Sequence, residues 1–467
     1  MTRVPLTRAV AARASALAAA TRPTHPDTQA ALEQRWRELP AGARTPEQLL
    51  GRRTAGCEGT HGVFPRCDLA CTPCYHAREA NSVRVDGPHT LVEVDRQMAF
   101  LRAARGDGQH AQLIGGEVTL LGPQTHAAVL EVMEFHGRKP LSMTHGDFDE
   151  DYLRDLALTG NGRPRFRVLR FAGHFDSLML GRAGIPRPKG EADLDPYRRR
   201  FVAMFERLER AHGARFDLAH NMTVTPRNAG EVAGVVQSCM GMRFGMLSFQ
   251  PAAFVGNPQR WREDFRAITI DDVWEQIEAG AGTRLPWRHL QMGDPRCNRS
   301  AYGIVAGDRW TALLDDRDPR DLRTRDAFLR AFGGMDFDRP RWALAAALTR
   351  VIARHPSVIP EAARWAARFG RRAGLRRLVR GRPRPLTFVV HAFMDARVVA
   401  PAWELLERGE QSDDAEIRAA QERLQACSYA MAHPDDGRTV PACVQHSVLD
   451  PQENRVLRDL LPLETTR

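Results

Sequence analysis

Short apolar, β-rich runs alternate with amphipathic helical patterns between about residues 60 and 250. Six runs have the pattern of strands: 62–65, 111–114, 141–145, 166–171, 216–225 and 245–250. Five stretches between them carry apolar residues at helical spacing: 92–104, 125–135, 152–158, 197–212 and 229–240. Because strands and helices that alternate along a chain form parallel sheets with right-handed crossovers, the pattern predicts an α/β fold of six βα units.

Three cysteines follow the first predicted strand. Cys67, Cys71 and Cys74 have the spacing Cys-x3-Cys-x2-Cys, which places three thiols within eight residues of one loop. Thiolate is the ligand of iron–sulfur clusters, and three ligands leave one iron of a four-iron cluster without a protein partner. The alternative is half of a zinc site, but zinc sites usually bring a second Cys-x2-Cys pair, and none follows at zinc-finger spacing. The spacing therefore indicates a cluster whose open iron can bind a small molecule.

The second predicted strand ends in Gly115, Gly116 and Glu117. Glycine at such a position permits close approach of the backbone. Together with the cysteine spacing, this motif resembles the radical S-adenosylmethionine (SAM) superfamily. The resemblance implies a partial (β/α)6 TIM-like barrel, a 4Fe–4S cluster held by the three cysteines, and SAM bound at that cluster. It also implies that Glu117 accepts hydrogen bonds from the methionyl ammonium group of SAM.

Both motifs fall at the carboxyl ends of predicted strands, where the functional loops of such barrels lie. Two later strand ends carry polar residues at positions that often contact SAM in the superfamily, Asn221 and the segment 172–177. A buried polar group satisfied by neighbouring backbone explains Asn221 equally well. We expect a cofactor-binding set of Gly115, Gly116, Glu117 and Asn221.

The length of 467 residues predicts more than one structural unit. The fold class expected is an α/β barrel with an α-helical insertion and a small C-terminal α+β extension. The expected units are an N-terminal helical segment (1–54), the barrel (55–260), a post-barrel region with Cys297 (261–340), a basic amphipathic helical segment (341–385) and an extension with auxiliary-cluster cysteines (386–467).

Charge and cysteine usage restrict the compartment and the partners. The net charge of +10 favours anionic partners such as phospholipid surfaces. No recognisable nucleic-acid-binding module accompanies this charge, so no nucleic acid is expected. A cluster-binding loop needs a reducing compartment, and no apolar run of about 18 residues is present to span a membrane. We expect a cytoplasmic protein whose basic charge permits peripheral contact with a membrane.

The basic segment is the strongest indication of such contact. Residues 361–384 contain nine arginines and one acidic residue. Trp365 and Phe369 stand four residues apart, and Leu375 and Val379 follow at helical spacing. A basic helix with one apolar side is typical of helices that lie on membrane surfaces. The alternative is a solvated arginine-rich face on a linker, and the sequence leaves both open.

Three further cysteines, Cys297, Cys427 and Cys443, lie outside the predicted barrel. An Asp-Asp-Gly turn signal that ends at Gly437 predicts a hairpin, which would return Cys443 toward Cys427. With Cys297 these thiols are candidate ligands of an auxiliary iron–sulfur cluster. The alternative is that each is a structural thiol.

The later motifs look like those of the tetraether lipid synthases and their relatives. The likeness rests on four segments: 248–252, 295–297, 391–395 and 440–443. It implies auxiliary clusters and a 5′-deoxyadenosyl radical that abstracts hydrogen from an alkyl carbon of a lipid-like substrate, followed by C–C bond formation. The chain departs from this group at residues 292–294, where relatives tend to have another cysteine.

The same core residues suit two other functions. One is a radical SAM methylase or a modifier of a pterin-like or peptide substrate. The other is a non-catalytic iron–sulfur redox scaffold, against which the SAM-type motif at Glu117 argues. The partners expected of the enzyme are a lipid-like or small-molecule substrate and a reducing protein such as a ferredoxin or flavodoxin.

Overall fold

The computed structural model describes residues 57–74, 76, 78–105, 110–255, 267–290, 294–332, 341–425, 427 and 429–463. The expected N-terminal helical segment, 1–54, lies outside the described residues. The strands of the described ranges are β1 Glu58–Gly59, β2 Ala70–Cys71, β3 His110–Leu113, β4 Lys139–Thr144, β5 Leu169–His174, β6 Met179–Leu180, β7 Phe216–Val224, β8 Met246–Pro251, β9 Asn298–Ala306, β10 Arg309–Ala312, β11 Arg384–His391, β12 Ala430–His433 and β13 Arg438–Pro441.

One large sheet contains eleven of these strands, in the order β10-β9-β11-β8-β7-β5-β4-β3-β1-β12-β13. Every pairing from β11 through β8, β7, β5, β4, β3 and β1 to β12 is parallel. The pairings at the two edges are antiparallel. The α/β class with a mostly parallel sheet is therefore confirmed. Among the described residues no pairing joins β10 to β13, so the sheet does not close through backbone hydrogen bonds.

The described ranges contain thirteen α-helices of six residues or more, of which twelve lie between strands and the last follows β13. They are α1 Gly87–Arg105, α2 Pro123–Phe135, α3 Glu150–Ala157, α4 Asp195–His212, α5 Val232–Met240, α6 Ile270–Ala281, α7 Pro319–Phe332, α8 Arg341–Arg354, α9 Val358–Ala373, α10 Leu375–Arg380, α11 Ala396–Glu407, α12 Ala415–Gln425 and α13 Asp450–Leu460. Local sequence sets several of their ends. Thr269 and Asp272 form a reciprocal capping box at the start of α6, and Gly213 ends α4 at a φ of 70°.

The first strand is shorter and earlier than predicted. The apolar run 62–65 is not a strand, because the chain turns at Gly62 with a φ of 63° and Val63 and Phe64 then pack into the core. Strand β1 is instead Glu58–Gly59, which lies between β3 and β12. The carboxyl oxygens of Glu58 are buried against the equally buried Arg138 guanidinium, an ion pair of 2.9 Å that the apolar pattern gave no reason to expect.

Strands beyond residue 260 join the same sheet. Strand β11 extends the parallel series next to β8, and β12 extends it next to β1. The predicted Asp-Asp-Gly hairpin is present, with β12 and β13 paired across a turn in which Gly437 has a φ of 63°. The division of the chain into five units stays a prediction.

The two faces of the parallel sheet differ in burial. Strand β4 alternates, so that Pro140, Ser142 and Thr144 are buried while Leu141 and Met143 are half-buried. The buried face packs against the helices, where Phe171 of β5 contacts aromatic residues of α2 and α4. We call the face that carries Leu141 and Met143 the inner face; on β5 and β7 the same face includes buried residues such as Ala172 and Asn221.

The apolar side of the basic segment packs inward over helix α9. Phe369 is buried, and the indole N–H of Trp365 donates to the Leu313 carbonyl at 2.8 Å. Arg368 pairs with the fully buried Asp321 at 2.9 Å. Trp365 and Phe369 therefore do not form a membrane-facing side. None of the helices in the described ranges combines the length and apolar content that a membrane crossing requires.

Candidate functional site

Two short strands position the cysteine loop. Strand β2 contains Cys71, which pairs with Met179 of β6, so the loop is fastened to the segment that follows β5. At the start of the loop the Cys67 N–H donates to the Asn81 side chain at 3.0 Å, and the Leu69 N–H donates to Cys67 Sγ at 3.4 Å. All three thiol-bearing residues of the motif are half-buried.

The residues Gly115, Gly116 and Glu117 bind the start of this loop through the backbone. The N–H of Gly116 donates to the Phe64 carbonyl and that of Glu117 to the Arg66 carbonyl, both at 2.8 Å. A Cβ atom at Gly116 would overlap the Arg66 carbonyl. Only glycine allows this approach, so the two predicted motifs form one structural unit at the carboxyl ends of β1 and β3.

The Glu117 carboxylate is buried and faces several protein donors. Its Oε1 accepts from the backbone and hydroxyl of Thr119 at 3.0 and 2.7 Å and from the Thr144 hydroxyl at 2.7 Å. Its Oε2 accepts from the His145 N–H at 2.8 Å. These bonds tie β3 to β4. Glu117 thus lies beside the cysteine loop as expected, while its role as an acceptor for the SAM ammonium stays a prediction.

His145 joins this carboxylate to the cysteine loop. Its Nε2 lies 2.8 Å from Asp68 Oδ1 and 3.3 Å from Glu117 Oε2. Burial alone would lower the pKa of His145, but the two carboxylates outweigh it and raise the pKa above the usual value. The hydrogen bond with His145 in turn lowers the pKa of Asp68. Sequence reasoning missed His145, since a lone histidine after a strand carries no motif.

Arg182 is the second residue that the sequence did not indicate. It is 1% exposed, stacks over the Phe175 ring at 4.9 Å, and lies near enough to the Cys71 thiol and Asp147 for their charges to affect its pKa. Burial lowers that pKa. Its Nε and one terminal nitrogen have no hydrogen-bond partner among the residues that the structure describes. A buried cation with unused donors next to a cysteine loop can bind an anionic ligand.

Asn221 lies on the inner face of β7. Its register places it level with His174 of β5 and Ser248 of β8. It is 3% exposed, and its backbone carbonyl accepts from the Phe175 N–H at 3.0 Å. His174 points to the buried Asp176, with Nε2 and Oδ2 separated by 2.6 Å. These polar groups lie at the same end of the sheet as the cysteine loop, and the assignment of Asn221 to SAM stays a prediction.

Burial also affects the thiols of the loop. It raises the pKa of Cys67 to about 12, and the carboxylates of Glu117 and Asp68 add to the effect. The Cys74 thiol acts in the same direction, which shows that Cys67 and Cys74 are near each other. Without metal the Cys67 thiol is therefore protonated at neutral pH, and a bound cation would have to displace its proton.

The second set of predicted cysteines also comes together. The hairpin and α12 bring Cys427 and Cys443 near Cys297: the Cys427 thiol adds to the raised pKa of Cys297, and the thiols of Cys427 and Cys297 both add to that of Cys443. Burial is the larger cause, and it raises the pKa of Cys297 to about 11 and that of Cys443 to about 12. The Arg423 Nε–H donates to Cys297 Sγ at 3.0 Å. Cys297, Cys427 and Cys443 therefore form a second thiol group, whose metal-binding role stays a prediction.

Two cysteines remain. Cys239 is fully buried on α5 in the main core, and Cys57 is exposed just before β1, where its carbonyl accepts from the Ala430 N–H at 3.2 Å. The expected loop residues 292 and 293 lie outside the described residues.

No protein-family model matches this chain, and no curated protein matches it. Several solved structures are similar. A histidine-tagged anSMEcpe with bound AdoMet is 16% identical over 42% of this chain and 50% of its own, with a TM-score of 0.30. Native anSMEcpe with bound AdoMet and Cp18Cys peptide is 14% identical over 48% of this chain and 57% of its own, with a TM-score of 0.32. This chain thus spans about half the length of these structures.

Proposed function

We propose that this protein is a radical SAM enzyme. One observation supports the proposal above the others: the Cys-x3-Cys-x2-Cys loop at the end of β1 is bound, backbone to backbone, by Gly116 and Glu117 at the end of β3. Two motifs that are separated in sequence therefore meet at one edge of a parallel sheet. In sheets of this kind ligands bind at the carboxyl ends of the strands.

The donor set fits a 4Fe–4S cluster. Cys67, Cys71 and Cys74 offer three half-buried thiols from a single loop, and the absence of a side chain at Gly116 allows β3 to approach it closely. When bound, such a cluster and SAM supply a radical that removes a hydrogen atom from the substrate. We assign Cys67, Cys71 and Cys74 to the cluster and Glu117, Gly115 and Gly116 to the SAM side of the site.

Arg182 and Asn221 would orient SAM. The unused donors of Arg182 suit the methionyl carboxylate, because a guanidinium binds a carboxylate through charge-assisted hydrogen bonds. Asn221, on the inner face, offers an amide to the same ligand. The stack of Arg182 on Phe175 fixes the guanidinium, so that little conformational entropy remains to be lost on binding.

The reductive cleavage of SAM tests this proposal. We expect the anaerobically reconstituted, chemically reduced protein to form 5′-deoxyadenosine, and the variant Cys71→Ala to lose both the visible cluster absorbance and this product. The variant Cys239→Ala changes a core cysteine far from the loop in sequence and serves as the control. Wild-type protein that holds a cluster yet never cleaves SAM would instead be a redox scaffold, and turnover by Cys71→Ala would overturn the cluster assignment.

For the substrate we propose a lipid-like molecule that reacts at an alkyl carbon to form a C–C bond. Exposed apolar side chains on α8 and on the arginine-rich helix α10 support contact with lipid, since Trp342, Leu375 and Val379 are 77%, 72% and 77% exposed. The polar inner face, with His174, Asn221 and other polar side chains, favours the alternative of a pterin-like or peptide substrate.

Isotope transfer separates these substrates. Incubation with deuterated membrane lipid extract should place deuterium in 5′-deoxyadenosine if the lipid proposal is correct. Deuterium transfer only from a soluble pterin-like molecule or peptide would contradict it and support the alternative. We further propose that Cys297, Cys427 and Cys443 hold an auxiliary iron–sulfur cluster and that a ferredoxin or flavodoxin in a cytoplasmic compartment supplies the electron.

A further inference from the structure

Two histidines and a glutamate from distant parts of the chain meet outside both thiol groups. His61 follows β1, His433 ends β12, and Glu453 lies on α13. One ring nitrogen of each histidine and one oxygen of Glu453 all lie within 4.8 Å of one another. The imidazole rings of His61 and His433 are stacked, with centroids 4.2 Å apart.

The hydrogen bonds of these histidines determine which ring nitrogen carries the lone pair. The Nε2 of His61 lies 2.6 Å from the Ala432 carbonyl, which can only accept, so Nε2 donates. The Nε2 of His433 lies 2.6 Å from Gln445 Oε1. That amide cannot be turned around, because Gln445 Nε2 donates to the carboxylates of Asp450 and Glu453 at 2.9 and 3.1 Å. Both rings therefore hold their Nε2 protons, and Nδ1 is the nitrogen left to bind.

A neutral His61 would then be poorly placed. Its Nδ1 lies 2.9 Å from Glu453 Oε2, and two lone pairs at this distance repel each other unless Nδ1 is protonated or both atoms bind one metal ion. In a metal-binding histidine, the ring nitrogen that does not bind the metal usually donates its N–H to an oxygen acceptor, because this bond fixes the tautomer and the ring orientation. The Nε2 atoms of His61 and His433 have this environment. His61 is further held by Gln97 of α1, which binds both its N–H and its carbonyl, at 3.2 and 2.9 Å.

We propose that His61, His433 and Glu453 bind a divalent transition metal of the zinc type. Two imidazoles and a carboxylate are ligands that Zn²⁺ accepts, and the fourth position would be taken by water because the site is only partly buried. Tetrahedral bonds of about 2.1 Å would separate each pair of ligand atoms by roughly 3.4 Å. His61 Nδ1 and Glu453 Oε2, now 2.9 Å apart, would therefore separate by about half an ångström, and the widest pair, now within 4.8 Å, would close by up to about 1.4 Å.

Such a metal would connect three segments. It would fasten the hairpin β12–β13 and helix α13 to the loop that leads from β1 to Cys67. The hairpin is followed directly by Cys443, so the metal would fix the position of the second thiol group relative to the first. This role is structural and is independent of whether SAM is cleaved.

Zinc content tests the site. We expect the full-length protein, equilibrated with zinc and freed of unbound metal, to hold one zinc per chain more than Glu453→Gln or His433→Ala, as measured by mass spectrometry of the metal. Zinc held by cysteines is common to all three proteins and cancels in the difference. His212→Ala, an exposed histidine at the end of α4, is the control and should retain the full amount.

Cobalt gives an independent signal. The difference spectrum between Co²⁺-loaded wild-type protein and Co²⁺-loaded Glu453→Gln should show visible ligand-field bands without a thiolate charge-transfer band. Because Glu453→Gln keeps the size and the polarity of the side chain, it is expected to fold even if His433→Ala does not. Equal zinc in wild type and Glu453→Gln, or a difference spectrum dominated by thiolate ligation, would overturn the proposal and leave His61 as a protonated partner of Glu453.

Discussion

The two thiol groups of this protein differ most in the arginine that accompanies each. Beside the first group, Arg182 is buried and keeps donors that no described residue uses. Beside the second group, Arg423 donates to Cys297 Sγ at 3.0 Å and to the carbonyls of Arg296 and Ala392 at 3.4 and 3.0 Å. The first group has a cation available to a ligand, whereas the cation of the second is bound to the protein itself.

This difference indicates separate roles. A site that binds and releases a small molecule needs unsatisfied donors, and leaving them buried has a cost in stability. A site that only holds a metal centre gains rigidity when every donor is used. We therefore expect SAM to bind at the first thiol group and not at the second, whose arginine is already bound to the protein. The following changes should separate the two groups.

The largest expected effect comes from Gly116→Ala. The added Cβ would overlap the Arg66 carbonyl and push β3 away from the cysteine loop, so 5′-deoxyadenosine formation should fall to background and the iron of the first group should be lost. Gly160→Ala adds a Cβ with no described atom within 4 Å and should behave as wild type. The measurements are product formation and iron per chain. Wild-type turnover by Gly116→Ala would show that the contact is not needed.

Arg182→Gln should weaken SAM binding without removing iron. The loss of a charged hydrogen bond of about 1.5–3 kcal/mol raises the dissociation constant for SAM roughly 10- to 100-fold. Equilibrium binding to the reconstituted protein measures this change, and iron content serves as the internal control. An unchanged dissociation constant would remove Arg182 from the ligand site and with it the main contrast with Arg423.

Arg423→Gln should remove iron without stopping SAM cleavage, whereas Arg182→Gln should weaken SAM binding without removing iron. Removal of a group that is hydrogen-bonded to a metal ligand typically lowers metal affinity by about 10- to 100-fold. Iron should be lost from the second thiol group, while the reductive cleavage of SAM continues at the first. Loss of SAM cleavage with iron retained in the second thiol group would show that this group also takes part in the reaction with SAM.

The smallest effect is a dependence of stability on pH in the metal-free protein. Burial raises the pKa of Cys297 from 9.0 to about 11 and that of Cys443 from 9.0 to about 12, so the folded state keeps these protons when the unfolded state has lost them. The free energy of unfolding should therefore fall as the pH rises above 9, by about 1.4 kcal/mol per thiol at pH 10.

Cys239 provides the control for this titration. Burial raises its pKa to about 12 as well, yet it lies on α5 in the core and outside both thiol groups. Denaturant unfolding at pH 8 and pH 10 should show this loss of stability abolished or reversed once metal is bound, because ligated thiolates carry no proton in the folded state and only the unfolded thiols then lose protons as the pH rises. Bound metal should alter the pH dependence of the free energy of unfolding less in Cys443→Ala than in the wild type. In Cys239→Ala bound metal should alter that dependence as much as in the wild type. A pH effect that metal leaves unaltered in the wild type would exclude ligation.

The sequence predicted what is local and missed what depends on long-range contacts. Five of the six predicted strands and the Cys67–Cys74 loop follow from periodicity and spacing within short segments, whereas β1 lies earlier than the apolar pattern predicted. The placement of β11 and β12 at opposite ends of the parallel series depends on pairings across more than a hundred residues, which no local pattern encodes. Periodicity indicated that α9 has an apolar side, but it does not indicate whether that side packs against the protein or contacts a membrane.

The residues of the candidate site likewise include some that the sequence indicated and others that only the fold revealed. Gly116 was identified from its motif, and its backbone contact explains why glycine stands there. Arg182 and His145 have no motif, and their importance becomes visible only when the fold places them beside Cys71 and Glu117. Cys297, Cys427 and Cys443 were predicted as one set, because the turn signal at Gly437 indicated the hairpin that returns Cys443 toward Cys427, whereas the approach of Cys297 depends on the long-range pairing of β9 with β11.

The most direct test of the central claim is an electron paramagnetic resonance spectrum of the reduced protein with and without SAM. The double variant Cys427→Ala and Cys443→Ala isolates the first thiol group, so that only its cluster contributes to the signal. We predict that SAM changes the shape of that signal, because three thiolates leave one iron open to bind it. A cluster signal that is present but identical with and without SAM would contradict the claim.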